Sequence, residues 1–203
     1  MTSAEAIVVG LLGAAAAGGD PERLRAALER SARFLSLADV EELLLQTVLF
    51  AGFPRTINAF VAWQGWAARR GGRDDPRVEA VRPELWRERG EVLCRLVYGK
   101  NYEALQLRLG RLHPALAEWA LVDGYGKVLS RQGPGPDVRE MSAVGALIAM
   151  GEGRQLASHM QGALHAGVEL PVLEAGSRAV GEEWDRQGLV EDLLAGLDGR
   201  PIG

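Results

Sequence analysis

The chain has one cysteine, Cys94, in 203 residues. No internal disulfide can form, and no Cys/His cluster has the spacing of a zinc site, so neither a disulfide scaffold nor a metal is expected. A reducing, cytoplasmic compartment fits this usage. A basic excess is missing as well. Lys and Arg number 23 against 27 Asp and Glu, a formal charge of −4, which supplies no field for a phosphate backbone and excludes nucleic acid as an expected partner. The Arg69-Arg70 pair is followed by Asp74 and Asp75 and reads as a solvated face. The apolar run from Ile7 to Ala17 is shorter than the ~20 residues that span a bilayer. No basic residue precedes it and Glu5 does, so the basic segment of a signal peptide is lacking. It reads as a helix capped by Ser3, and no membrane partner is expected. Strand-like alternation is nearly absent, and no repeat of about 20–50 residues stands out.

What is present is ordinary globular composition, 47% hydrophobic and 25% charged, with helix punctuation throughout. Asp20-Pro21 is an N-cap followed by proline at the first helical position. Ser36 with Asp39 three residues on resembles a capping box, and Gly52 stops the helix it opens. Pro54 begins another through Ile57, Phe60 and Val61. Further helices are expected over 84–98, 102–112, 114–129, 137–150, 153–167, 171–184 and 189–197. Asp137 is the expected cap of the first member of a hairpin turned at Gly151 and Gly153. The organisation is one all-helical domain over 1–203, with N-terminal helices in 1–68, a linker rich in Arg, Gly, Asp and Pro at 69–83, and the remaining helices in 84–203. Apolar helices such as residues 4–17 look too extensive for a monomer to cover.

Several attractive strings fail on context. Gly124-Tyr125-Gly126-Lys127 lacks the phosphate-loop spacing and a preceding strand, so packing inside a helix is the better account. Ser130 and Ser158 have no strand-turn-helix elbow. His113, before Pro114, reads as a helix cap, and His165 as a residue near a helix C-terminus, where the dipole favours it. His159 shares a helical register with Leu156, Ala163 and Ala166 and therefore faces inward. Glu140, three residues after Asp137, occupies the third position of a capping box, which is a structural account of it.

Arg139-Glu140, with His159 nineteen residues after the glutamate and Ala163-Leu164 and Gly167 behind it, resembles the carboxymuconolactone decarboxylase superfamily, which includes the alkylhydroperoxidase-D-like proteins. Glu42, Gln46, Phe50-Ala51-Gly52-Phe53-Pro54 and Asn58-Ala59-Phe60 look like the family segment that normally follows the histidine helix. Here it comes first, so the order looks circularly permuted or exchanged between subunits. The stretch from Tyr98 through His113-Pro114, Trp119, Asp123 to Gly126 and Leu129 to Arg131 is similar to the lead-in of a bacterial branch.

The resemblance implies an all-α helical bundle assembling as a trimer or hexamer, and two activities. One is cofactor-free decarboxylation of 4-carboxymuconolactone. The other is peroxide reduction by a Cys-x-x-Cys pair seven and four residues before the histidine, but those positions hold Glu152 and Gln155. For decarboxylation, His159 is the expected acid/base and Glu140 its orienter, with Arg139, Gln155 and Tyr125 expected to bind a small carboxylated substrate. Arg55 is a further candidate cation. At the offset expected of the hairpin, ~7.5 Å along the helix axes, the Glu140–His159 contact needs long side chains leaning together or a bridging water. The rival readings are a non-catalytic oligomeric scaffold and a peroxidase using another thiol.

Overall fold

A computed structural model describes residues 1–71 and 82–197. All regular structure among them is helical. The helices are α1 (Ser3–Gly18), α2 (Pro21–Ser31), α3 (Leu37–Gln46), α4 (Val48–Ala68), α5 (Pro83–Tyr98), α6 (Tyr102–Leu112), α7 (Pro114–Trp119), α8 (Pro136–Met150), α9 (Gly153–His165), α10 (Leu170–Glu183) and α11 (Gln187–Leu197). A 3₁₀ turn spans Gly99–Asn101, and a π-helix Ala120–Leu129 follows α7. No described helix is long and apolar enough to cross a membrane. The chain divides into two compact units, one of residues 1–76 and 133–203 and the other of 77–132. Most of the segment read as a linker, 72–81, lies outside the described residues.

Local signals explain most boundaries. The cap of α1 is Thr2, one residue before the expected Ser3, and it forms a reciprocal capping box with Glu5. The Thr2 backbone N–H holds the Glu5 carboxyl below its ordinary range, so the box is complete above that range and lost as acidification protonates the group. Asp20 and Ser36 cap α2 and α3 as expected, and His113 Nδ1 accepts from the Ala115 N–H at the start of α7. Gly52 (φ 73°, ψ 177°) leaves the helical conformation and breaks α4 into two helical stretches, with Pro54 at the start of the second, as expected. Asp137 is not the cap of α8. Gly135 holds that place, without a side-chain hydrogen bond, and this frees Glu140 from the capping role.

In the first unit α1 is the centre. Its residues from Val8 to Ala17 are all buried, so the expectation that a monomer leaves this run uncovered is overturned. Small residues let α1 approach α8 closely. A Cβ on Gly13 would overlap the Ser142 carbonyl, and a Cβ on Gly145 would overlap the Gly10 carbonyl. Around this crossing Leu12, Leu28, Met141, Leu156 and Met160 form one core, each side chain contributing roughly 1.5–3 kcal/mol by leaving water.

The reciprocity of that contact reflects an internal repeat. α1–α4 and α8–α11 run in the same order, and both first hairpins turn on a left-handed glycine, Gly19 (φ 73°) and Gly151 (φ 74°). Each glycine lies two residues before the helix that follows, which starts at Pro21 or Gly153. Gly13 and Gly145, and Gly10 and Ser142, are equivalent at this same separation. The positive φ of Gly52 before the main part of α4 is matched by Asp185 (φ 54°) before α11. In the second unit α5 crosses the π-helix, with Cys94, Val97, Tyr102, Leu105, Leu121, Tyr125 and Leu129 as its core.

Candidate active site

α8 and α9 form an αα-hairpin that carries the polar centre of the first unit. The inner faces of both helices are apolar, and Glu140 and His159 interrupt them. His159 has 9% and Glu140 3% of its surface exposed. Ionised carboxylates only accept hydrogen bonds, so the 2.8 Å contact between Glu140 Oε2 and His159 Nδ1 assigns the proton to Nδ1. The contact is direct; of the two geometries expected from the hairpin offset, the two side chains leaning together is the one present. Nε2 then presents its lone pair and has no hydrogen-bonding partner among the described residues. The edge of Phe50 packs against the imidazole, ring centroids 5.4 Å apart at 80°, and fixes the ring plane.

A second buried polar group adjoins this pair. Arg139 Nη2 donates to Glu42 Oε2 at 3.3 Å, Nη1 to Gln46 Oε1 at 3.2 Å and Nε to the Pro134 carbonyl at 3.2 Å. Gln46 Nε2 returns a bond to the Arg139 carbonyl at 3.0 Å. Arg139, Glu42 and Gln46 are all less than 4% exposed. Removing one partner of so buried an ion pair costs about 3–5 kcal/mol, because the other charge is left unpaired.

The sequence-predicted residues are thus distributed unevenly. Glu140 and His159 meet. Arg139, expected to bind substrate, turns its guanidinium inward to Glu42 and Gln46. Gln155 is exposed one turn before His159 on α9, on the same helix face by its spacing. Tyr125 belongs to the second unit, where it is buried in the π-helix against the edge of Tyr98, 6.0 Å between centroids. Arg55 is exposed and lies against the Gly19 turn. Glu42, Gln46 and Phe50 entered the sequence reading only through the resemblance; their inward placement at four-residue spacing across α3 and the start of α4 was the available signal. No family model matches the chain, and no curated protein matches it in sequence.

Proposed function

We propose that the chain is a carboxymuconolactone decarboxylase-like enzyme, a cytoplasmic homo-oligomer doing cofactor-free acid/base chemistry on a small carboxylated substrate. The observation that carries this is the His159–Glu140 contact, from a pair at the family's spacing, with Nε2 left open. In decarboxylation the bond to the carboxylate carbon breaks, carbon dioxide leaves, and the electron pair passes into the unsaturated lactone. An imidazolium protonated at both nitrogens delivers the Nε2 proton to carbon and is reprotonated from water. Glu140 steadies that cation through Nδ1. Isomerisation would use the same proton movements without loss of carbon dioxide.

The fold reading gains support from the internal repeat. The family segment from Glu42 to Phe60, which comes early in this chain, meets the histidine hairpin within the same chain. The unusual order is then an exchange between two tandem copies. Arg139 is assigned to holding α8, and Gln155 to the substrate side of His159. Peroxidase chemistry is disfavoured, because Cys94 is buried in the apolar core of the second unit, where a thiol is inert. The second reading is a non-catalytic scaffold in which the Glu140–His159 bond serves packing alone.

The test is turnover of 4-carboxymuconolactone in heavy water. Carbon dioxide release with one deuteron placed on carbon, both lost in His159→Gln, is expected. Absence of release from the wild type would count against the decarboxylase reading.

Self-association has its own support on α4. Phe53, Ile57 and Val61, all after the break at Gly52, recur every four residues and are 73%, 57% and 66% exposed, a ridge with the spacing that packs against another helix. The wild type is expected to sediment as a trimer or hexamer, and the double variant Phe53→Asp/Ile57→Asp as a smaller species. A monomeric wild type would contradict this.

A further inference from the structure

We infer that Gln46 is a positioning residue for the Glu140–His159 pair, a clasp supplied by the first repeat to the site carried by the second. The inference rests on the acid/base reading of that pair. The amide of Gln46 is engaged at both ends by the residue next to Glu140: Nε2 donates to the Arg139 carbonyl and Oε1 accepts from Arg139 Nη1. Its orientation is fixed by chemistry, since a carbonyl only accepts and a guanidinium only donates. One helical turn before it, Glu42 accepts from Arg139 Nη2. One turn after it, Phe50 meets the imidazole edge-on. A single segment of the first repeat therefore grips both members of the pair, on the backbone beside Glu140 and on the ring of His159. α8 needs this hold, because its N-terminus lacks a side-chain cap.

The internal repeat shows that the clasp and the Glu–His pair occur together. At the spacing of the hairpin glycines, the first repeat has Ile7, Val8 and Ala27 where the second has Arg139, Glu140 and His159. At the spacing of the α3 and α10 caps, Ser36 and Glu169, the second repeat has Ala175 and Ala179 where the first has Glu42 and Gln46. The other side of the repeat thus has no polar group at any of these five places. The clasp is present where the Glu–His pair is and replaced by alanine where that pair is absent.

The experiment reads the His159 tautomer without needing a substrate. Only three histidines are present, so ring ¹⁵N–¹H correlation spectra at neutral to alkaline pH resolve each one. In the wild type His159 should show the single Nδ1–H tautomer. In Gln46→Leu, with helicity retained by circular dichroism, it should become a mixture with Nε2–H as Glu140 loses its place. Gln46→Glu, which still accepts from Arg139 but cannot donate to its carbonyl, should show a smaller shift in the same direction, and it decides the matter if Gln46→Leu does not fold. A pure Nδ1–H signal retained in the folded variants would overturn the positioning role while leaving the acid/base reading intact. A wild type already lacking the Nδ1–H form would instead overturn the acid/base reading itself, and this role with it.

Discussion

Gly145→Val is expected to remove most of the stability of the first unit. A Cβ at this position would occupy the place of the Gly10 carbonyl, with the carbonyl carbon and Cα close behind it. These are backbone atoms of a buried helix, so no side-chain rotation relieves the overlap, and α1 and α8 would have to move apart. Overpacking of a tight core costs typically about 1–3 kcal/mol. Separating two helices along their closest contact reaches or exceeds the top of that range and adds lost burial around Leu12 and Met141. Against a total stability of roughly 5–15 kcal/mol, at about 2–4 °C per kcal/mol for a chain of this size, the melting temperature should fall by about 10 °C or more, or the cooperative transition should vanish. The control has the opposite sign. Gly65, on the exposed face of α4, has open space where its Cβ would stand, so Gly65→Ala should stabilise by roughly 0.5–1 kcal/mol through helix propensity alone. Denaturant melts of both variants check the pair, and equal effects would mean that the α1–α8 contact is looser than its geometry implies.

The same crossing shows why parts of the fold were legible in the sequence and others were not. Helix starts are set by residues two or three apart, and Asp20, Ser36 and His113 announced them correctly. Contacts between distant residues leave no such local mark. The small residues of α1 read as an apolar run in search of cover, although α8 covers it. Glu140 fell at capping-box spacing from Asp137, yet its carboxylate turns to His159 because the helix starts at Pro136 and is capped by Gly135. The α1–α8 glycine pairs and the two left-handed turns reveal the repeat only in space, since helix order and backbone conformation persist where residue identity has changed. The π-helix at Ala120–Leu129 was likewise read as a continuation of an α-helix, because hydrophobic spacing over ten residues does not resolve one helix type from the other. At the site, Glu140 and His159 were legible as a pair from a family spacing. The clasp of Glu42 and Gln46 on Arg139 was not, because it joins residues 93 and 97 positions apart.

The pair itself makes the second large prediction, and two substitutions separate chemistry from structure. In His159→Gln the amide can still donate to Glu140, so the buried carboxylate keeps a partner and the fold should survive. The loss of stability should be about 1–3 kcal/mol, the cost of weakening one buried hydrogen bond. Turnover of the carboxylated lactone should nevertheless fall by ~10²–10⁴-fold, the usual contribution of a general acid/base, because an amide cannot carry the proton. Glu140→Gln tests the partner. Its amide oxygen can accept from Nδ1–H, so the neutral tautomer and the ring position are retained, and a glutamate needed only for geometry would tolerate the change. A glutamate that holds an imidazolium in place loses its charge, and the rate should drop while the affinity for substrate stays near that of the wild type. Because the two residues act on one proton, the double variant should be little slower than His159→Gln alone, since groups that act as a unit are not additive. Melting temperature and rate measured on all three proteins decide between the readings. A fall in stability with unchanged rate makes the pair part of a scaffold, and a fall in rate with stability nearly kept makes it the site of proton transfer.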